Sequence, residues 1–464
     1  MNFQAGDTIC AVSTPPGTGA VAMIRVSGPR AFEAVEKIFS FLNPQSAIRN
    51  LKSHTVHRGT LGDGKNILDD ALATIFRAPN SYTGEDVVEI SVHGSVFIQQ
   101  QTIRLLSDQG VRLAKPGEFT LRAFLNGKFD LSQAEAVADL IAAGSSSSHD
   151  LAIRQLRGGF SQTINTLRRK LVDFAALIEL ELDFSEEQAE FASRPELLSL
   201  LDDLETMLDK LIRSFAAGNA IKQGIPVAII GGTNVGKSTL LNAILNEERA
   251  IVSEIPGTTR DAIEDTIVLG GYSFRFIDTA GLRDTTDHIE IIGIEKTREK
   301  IRNASIVLYL FDASSESWQQ VAETIGELKE WMKEPGKRLI LVGNKTDLLS
   351  ELPKGFRDFV EHETVFISAK RKENIHLLAE TLVKAAGLDQ ISDGALISNV
   401  RHLEALRKAL ESIRAVRDGI SDNVSTDLLT TDIRTALHYL GEITGEVTTD
   451  EILGTIFSKF CIGK

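Results

Sequence analysis

Apolar positions along the chain recur with two different periods, about two residues as in a strand and about 3.6 residues as in a helix. The change from one period to the other divides the sequence into segments. Residues 1–126 mix both periods, which predicts a small α/β domain. Alternating or short continuous apolar runs predict strands at Val21–Val26, Leu72–Phe76 and Asp86–Val92, and the helical period predicts helices at 30–42 and 96–108. The segment Thr14–Gly19 has glycines but no Lys-Ser ending, so we expect a plain turn there.

From residue 127 the helical period dominates. It predicts helices at Asp130–Ala143, Asp150–Glu181 and Pro195–Phe215, and again at Arg401–Arg417 and Asp427–Leu440. The second helical part, 386–464, is short for an independent bundle, so we expect it to join 127–221 in one discontinuous helical domain. Residues 222–385 would then be an inserted domain whose two ends lie close together in space.

The inserted segment opens with an apolar run, Val227–Ile230, followed by a glycine-rich turn. Residues 231–238 fit the pattern GxxxxGK[ST], and an apolar helical pattern follows. In that context, backbone N–H groups of the turn and of the helix start can hold phosphate oxygens. We expect Lys237 to reach the β- and γ-phosphates and Ser238 to ligate Mg²⁺.

Three further polar turns follow apolar runs in the order of a guanine-nucleotide site. Asp278-Thr-Ala-Gly281 can serve the magnesium shell and the γ-phosphate. In Asn344-Lys-Thr-Asp347, the Asp can accept two hydrogen bonds from guanine that adenine cannot donate. Ser368-Ala-Lys370 would complete the base pocket with the amide of its Ala. Each turn alone is also typical of an ordinary loop, but the four in order resemble a Ras-like G domain of the TRAFAC class, with a mixed, mostly parallel sheet.

This resemblance implies a set of nucleotide contacts spread over five segments. The residues expected around GTP are Asn234, Val235, Gly236, Lys237, Ser238, Thr239, Ser253, Glu254, Ile255, Pro256, Gly257, Thr258, Thr259, Asp278, Thr279, Ala280, Gly281, Asn344, Lys345, Asp347, Ser368, Ala369 and Lys370.

The water-orienting glutamine of Ras-like proteins is replaced by Leu282, whose side chain cannot polarise water. A catalytic group must therefore come from elsewhere. Glu290 is a candidate, although with Asp287 it also fits a helix-capping pattern. Asn234 could ligate a monovalent cation, as in K⁺-activated GTPases, or simply favour a turn.

Composition narrows the class of protein. The chain has 464 residues, too many for one G domain, with 42% hydrophobic and 25% charged residues, which is typical of globular proteins. No apolar run approaches the roughly 20 residues of a membrane span, and no secretory pattern is present, so we expect a cytoplasmic protein without membrane contact. Its formal net charge of −14 argues against broad nonspecific nucleic-acid binding.

The chain ends in Phe457-Ser-Lys-Phe-Cys461-Ile-Gly-Lys464. Together with Gly257-Thr-Thr-Arg-Asp261 and the stretches at 80–86 and 116–126, this ending resembles the MnmE (TrmE) family of tRNA modification GTPases. The resemblance implies a homodimer whose N-terminal domain binds 5-formyl- or methylene-tetrahydrofolate, and G domains that associate with K⁺ and GTP. It also implies a flavoprotein partner, MnmG, which carries FAD. With it, the family adds a (carboxymethyl)aminomethyl group to carbon 5 of the wobble uridine of certain tRNAs.

The resemblance also assigns residues by matching position. It implies K⁺ ligands Asn234, Ser253, Ile255 and Thr258, Mg²⁺ ligands Ser238 and Thr259, the catalytic Glu290, the folate contacts Arg25, Glu89, Lys128 and Lys464, and a functional thiol at Cys461. From the residues alone, the four folate positions also fit solvated charges or local ion pairs, and Cys461 fits a buried apolar residue.

Two other functions share parts of this pattern. A GTP-switched ribosome-assembly factor would have a similar G domain, but such factors usually carry a basic RNA-binding module, whereas this chain is acidic. A dimeric scaffold that only binds GTP is disfavoured because Lys237, Asp278 and Asp347 are all present.

Overall fold

The computed structural model describes residues 6–42, 48–183, 194–246, 251–252, 265–277, 291–332, 336–351, 362–388, 395–422 and 424–464. The chain forms two compact units. The first comprises Met1–Ala138, Gln155–Ala189 and Ser425–Lys464, and the second comprises Asp139–Arg154 and Glu190–Val424.

The described helices follow the chain in this order: α1 Ala31–Glu36, α2 Val96–Asp108, α3 Glu118–Leu125, α4 Leu131–Ala142, α5 Ser146–Leu156, α6 Gly159–Asp183, α7 Arg194–Gln223, α8 Lys237–Leu245, α9 Ile291–Asn303, α10 Trp318–Trp331, α11 Ile375–Ala386, α12 Val400–Ser421, α13 Thr426–Thr444 and α14 Asp450–Phe457. Among them, none is long and apolar enough to cross a membrane.

The first unit contains a largely antiparallel sheet. Its strands are β1 Ile9–Val12, β2 Val21–Ser27, β3 Phe39–Phe41, β4 Thr55–Gly62, β5 Ile67–Phe76, β6 Val87–His93 and β7 Arg112–Leu113. They lie in the order β3-β4-β5-β6-β2-β1-β7, and only the pair β1–β7 is parallel. Alternate residues of β2 (Ala22, Ile24 and Val26) are buried in the core that α1 and α2 help to form, as the period of two requires.

Helices complete the first unit. Helix α6 packs on α13, and α14 packs on α3. The contact between α14 and α3 includes a small apolar core formed by Leu121, Leu131, Ile456, Phe457 and Phe460. Most predicted helices are confirmed, but two differ. The helix predicted over 30–42 ends at Glu36, and the next residues form β3. The helix predicted over Asp150–Glu181 is interrupted at Gly158, which has a φ of +83°.

The second unit contains a mixed, mostly parallel sheet, as predicted. Its strands are β8 Ile225–Ile230, β9 Ile251–Val252, β10 Asp265–Leu269, β11 Tyr272–Phe276, β12 Ile306–Asp312, β13 Arg338–Asn344 and β14 Glu363–Phe366. They lie in the order β14-β13-β12-β8-β11-β10-β9, with β9–β10 and β10–β11 antiparallel. Every residue of β12 is buried, which is typical of a strand covered on both faces.

Two features of the second unit matter for the site. The carboxyl ends of β8, β12, β13 and β14 lie at one edge of the sheet, where ligands of open α/β sheets bind. In addition, helix α7 packs on α12, and the backbone of Gly218 approaches Ile397 so closely that an added Cβ would lie 2.2 Å from its carbonyl oxygen. The chain segments that precede β8 and follow α11 therefore run side by side.

Candidate guanine-nucleotide site and the Arg25 cluster

The glycine-rich turn joins β8 to α8 through two positions that only glycine fills without strain. Gly231 has a φ of +154°, and an added Cβ would lie 2.1 Å from the carbonyl oxygen of Leu310. Gly236 has a φ of +101°, and a Cβ there would lie 2.4 Å from Asn344 Nδ2. The turn can therefore pack tightly against β12 and β13 while its N–H groups and the start of α8 remain suited to phosphate.

Lys237 lies at the first position of α8, and its side chain folds back over the turn. Its Nζ donates to the carbonyl oxygens of Gly231, at 2.9 Å, and Gly232, at 2.6 Å. Burial, together with the positive charge of Lys300, lowers the pKa of Lys237. The ammonium group is thus held at the glycine-rich turn of residues 231–238, which we call the phosphate loop. This is the place that the sequence motif predicts for a phosphate-binding lysine.

Asn344 connects the phosphate loop to the loop at 368–370, the segment predicted to complete the base pocket and called the base-reading loop below. Its Nδ2 donates to the carbonyl oxygen of Val235 at 2.8 Å, and its Oδ1 accepts from the N–H of Ala369 at 3.0 Å. The side chain is 3% exposed, so both bonds are shielded from water. One residue at the end of β13 therefore fixes three of the predicted motifs relative to one another.

Asp347 presents a carboxylate whose ionised form is stabilised. Ser368 Oγ donates to Asp347 Oδ1 at 2.8 Å and accepts from the N–H of Arg371 at 3.2 Å. The hydrogen bond from Ser368 lowers the pKa of Asp347. The group therefore remains an acceptor, which is the form that the N–H donors of guanine require.

Asp312 is a residue of this site that the sequence motifs do not identify. Its Oδ2 lies 2.7 Å from Lys345 Nζ. Burial raises the pKa of Asp312, but hydrogen bonds from Lys345 and Ser314 outweigh it and lower the pKa to about 2. The signal that could have found this residue is its place at the end of an apolar strand next to the strand of Asn344.

Part of the predicted site lies outside the described residues. This applies to Ser253, Glu254, Ile255, Pro256, Gly257, Thr258, Thr259, Asp278, Thr279, Ala280, Gly281 and Glu290. Across the residues that are described, His, Cys, Asp and Glu side chains form no group of three or more that could hold a metal ion. Asn234 has a left-handed φ of +61° and is exposed, beside a cavity of about 670 Å³.

In the first unit, Arg25 and Glu89 are directly opposite each other on β2 and β6. Their side chains form an ion pair with Nη2 and Oε1 2.8 Å apart. The guanidinium lies 4.9 Å from the centroid of the Tyr82 ring and 5.5 Å from that of Phe119. The ion-pair interpretation of these two residues is thus what the structure shows, and the aromatic rings place the pair beside flat apolar surfaces.

Lys128 and Lys464 are each connected with one of these two aromatic residues, Tyr82 and Phe119. Lys128 Nζ donates to the carbonyl oxygen of Pro79 at 3.0 Å, and the neighbouring Phe129 ring lies 5.9 Å from that of Tyr82. The N–H of Phe119 donates to the carbonyl oxygen of Lys464 at 3.2 Å. Arg25 and Lys464 therefore contact Tyr82 or Phe119 directly, and Lys128 precedes a residue that does. We call this set the Arg25 cluster: Arg25, Tyr82, Glu89, Phe119, Lys128 and Lys464.

The C-terminal residues dock on the sheet of the first unit. Ser13 Oγ donates to the carbonyl oxygen of Gly463 at 3.1 Å, and Gly463 has a φ of +95°. Cys461 is exposed, which excludes its interpretation as a buried apolar residue. Cys10, by contrast, is buried on β1, and burial raises the pKa of its thiol to about 12.

Glu118 and Arg122, both in the stretch at 116–126, belong to a buried charge network. Arg122 is 1% exposed and bonds the carboxylates of Asp7 at 2.5 Å, Glu118 at 3.2 Å and Glu85 at 3.2 Å. Arg112 bonds Asp7 and Glu118 as well. The spacing of Glu118 and Arg122, four residues apart on a helix, is the sequence signal that could have predicted part of this network.

Comparison with known proteins gives matches over the whole chain. The family model described as "GTP-binding protein TrmE N-terminus" matches residues 8–128, and "MnmE helical domain" matches residues 131–461. The chain is 51% identical to the tRNA modification GTPase MnmE of Christiangramia forsetii, covering 100% of both chains. It is also 51% identical to that of Flavobacterium psychrophilum and 50% identical to that of Bacteroides thetaiotaomicron, covering 99% of each chain. Among solved structures, the G domain of the T. maritima FeoB iron transporter is 24% identical with a TM-score of 0.27, covering 35% of this chain and 98% of that one, and this likeness carries no functional argument.

Proposed function

Because the chain belongs to the MnmE family of tRNA modification GTPases, we propose that it couples K⁺-stimulated GTP hydrolysis to modification of the wobble uridine of certain tRNAs. In this proposal it acts as a cytoplasmic homodimer with MnmG, whose FAD takes part in adding a (carboxymethyl)aminomethyl group at carbon 5. The observation that carries the nucleotide part is the Asn344 side chain, which joins the phosphate loop at Val235 to the base-reading loop at Ala369.

The chemistry of the donors fits GTP and Mg²⁺. Lys237 supplies a positive charge at the loop, Ser238 supplies a hydroxyl at the start of α8, and Asp347 supplies an ionised acceptor for guanine. Ser238 and Thr259 would hold Mg²⁺, which would supply positive charge to offset the negative charge that develops during hydrolysis. Glu290 would act on the attacking water, since Leu282 cannot.

A monovalent cation would supply the charge that other GTPases obtain from an arginine finger. Asn234 supports this proposal because its backbone is left-handed and its side chain is exposed, which leaves the side-chain amide oxygen accessible to a cation. Ser253, Ile255 and Thr258 would complete the K⁺ site, mostly with carbonyl oxygens. Hydrolysis in KCl should exceed that in NaCl by at least about tenfold, in line with loss of one charge stabiliser. Asn234→Ala should lose this difference, and equal wild-type rates in the two salts would refute the K⁺ role.

The Arg25 cluster is proposed to bind the tetrahydrofolate. The Arg25–Glu89 pair offers donors and acceptors for a pterin edge, the Tyr82 and Phe119 rings offer apolar faces, and Lys128 and Lys464 offer positive charge for the glutamate carboxylates. Cys461 would supply a thiol close to this group. Titration of 5-formyl-tetrahydrofolate into the full chain should saturate.

Arg25→Ala should abolish the folate titration. The matched control is Arg58→Ala, which removes an exposed arginine paired with Asp70 at 3.3 Å on a neighbouring strand. It should bind folate like the wild type. Equal loss in both variants would mean that the cluster is not the site.

The tRNA function is tested in cells. Deletion of this chain should deplete the modified wobble uridine in total tRNA, measured by nucleoside mass spectrometry. Expression of the wild type should restore it, whereas a Lys237→Ala variant should not, because its phosphate loop lacks the lysine. A deletion strain with normal wobble uridine would refute the proposal.

A further inference from the structure

Asp312 is the last residue of β12, and Asn344 is the last residue of the neighbouring strand β13. The two residues are register partners. The N–H of Ala313 also donates to the carbonyl oxygen of Asn344 at 3.0 Å. This register brings the Asp312 carboxylate within 2.7 Å of the ammonium group of Lys345, the residue after Asn344.

Hydrogen bonds other than the one from Lys345 also hold the Asp312 carboxylate in place. Its Oδ1 accepts from the N–H of Ser314 at 2.9 Å and from Ser314 Oγ at 2.6 Å, leaving Oδ2 for Lys345. The N–H of Asp312 itself donates to Glu316 Oε1 at 2.8 Å. Side-chain exposure is 12% for Asp312 and 31% for Lys345, so the pair is partly shielded from water. Such a preorganised, partly buried pair loses less to side-chain entropy and screening than a surface pair does.

Lys345 needs an external constraint. Its φ of +66° is left-handed, a conformation that costs a residue with a Cβ about 1–2 kcal/mol. Two other residues of the same turn are already held by hydrogen bonds: Asn344 to the phosphate loop and Asp347 to Ser368. The ion pair with Asp312 holds Lys345, which lies between these two residues along with Thr346.

We propose that Asp312 is a positioning residue for guanine-nucleotide binding. Its carboxylate holds the Lys345 side chain, and thereby the backbone of the turn that presents Asn344 and Asp347 to the base. It contacts neither the base nor the phosphates. The proposal rests on the assignment of residues 344–347 as the guanine-reading turn.

A double-mutant cycle in the full chain tests it, with Asp312→Asn, Lys345→Met and both together. The readouts are the Kd of a fluorescent GDP analogue, the kcat at saturating GTP, and the melting temperature. Asp312→Asn should weaken GDP binding about tenfold, as expected for loss of one hydrogen bond between charged groups, while kcat changes by less than about twofold. In the Lys345→Met background the same change should have almost no further effect, because its partner is gone.

Controls separate positioning from general stability. Glu363→Gln removes the carboxylate of another ion pair in the same unit, with Lys384 at 3.2 Å, and should leave the Kd unchanged. Asp312→Glu keeps the charge and should recover much of the affinity. If Asp312→Asn does not fold, the cycle is run with Asp312→Ser, which is neutral and smaller.

Three results would overturn the proposal. An unchanged Kd in Asp312→Asn is the first. The second is equal loss of affinity with and without Lys345, which would mean that Asp312 acts through the fold in general. The third is a wild-type chain that binds ADP as tightly as GDP. That result would refute the assignment of the turn itself, and it is distinguishable from the other two because it needs no variant.

Discussion

Replacing Asn344 by alanine removes the side chain that joins the phosphate loop to the base-reading loop. Two hydrogen bonds are lost, to the carbonyl oxygen of Val235 at 2.8 Å and from the N–H of Ala369 at 3.0 Å. Val235 is 4% exposed and Ala369 3%, so water has poor access to the groups left behind. An unsatisfied buried polar group costs about 1–3 kcal/mol, so the two together cost about 2–6 kcal/mol. Relaxation of the loops should bring the effect toward the lower end of that range.

The cost should appear mainly as lost nucleotide affinity, because the two loops become free to move apart. A loss of about 2–4 kcal/mol corresponds to a Kd for GDP that is weaker by about 30- to 1000-fold, which equilibrium titration with a fluorescent GDP analogue measures. The matched control is Asn246→Ala, since this exposed side chain donates to the carbonyl oxygen of Asn242 at the end of its helix, at 2.6 Å. A Kd for Asn344→Ala within about twofold of the control would refute the reasoning, because a buried pair of bonds cannot vanish at so small a cost.

Three other substitutions have predicted outcomes. Gly271→Ala should lower the melting temperature, because φ is +86° and the new Cβ would lie 2.5 Å from Ser146 Oγ; Gly326→Ala, in a helix with no atom within 4 Å of the new Cβ, should not lower it. Asp347→Asn should shift the preference from GTP toward XTP in competition binding, since an amide can donate to the xanthine oxygen where a carboxylate cannot. Burial raises the pKa of Glu118, but hydrogen bonds to it outweigh burial and hold the pKa below its usual 4.5. The ionised Glu118 therefore stabilises the fold fully above pH 4.5, and this stabilisation is lost as the pH falls through the folded-state pKa. In the Glu118→Gln variant, the free energy of unfolding should consequently fall less steeply toward acid pH.

The nucleotide motifs were predictable because each is a local pattern with a fixed mechanical role. The phosphate loop follows an apolar strand and precedes an apolar helix, and the structure places Lys237 at the start of that helix as the spacing requires. The parallel sheet then brings Asn344 and Ala369 together, since strands that run the same way end at the same edge. Lys345 and Asp347 could be placed for the same reason.

Other features depend on contacts that no local pattern contains. The helical period continues through the apolar residues of β3 and predicts a helix there. In the structure, Phe39 instead packs over Gly59 of β4, where an added Cβ would lie 2.4 Å from the Phe39 ring. Asp312 and Lys345 are 33 positions apart in the sequence, and their pairing depends on the register of β12 and β13. The contact between Ser13 and Gly463 spans 450 positions. Periodicity reports which face of an element is buried, and it does not report which element covers that face.

The two candidate sites therefore place different demands on the chain. The described part of the nucleotide site lies at one edge of one sheet, in loops that follow the parallel strands β8, β12, β13 and β14. The Arg25 cluster draws on both ends of the sequence: Arg25 lies on the second strand, whereas the carbonyl oxygen of Lys464 accepts from Phe119, whose ring lies 5.5 Å from the Arg25 guanidinium. That cluster is complete only when the C-terminal residues have docked on the N-terminal sheet. Closing that long segment costs more entropy than closing the shorter segments between neighbouring strands of the nucleotide site.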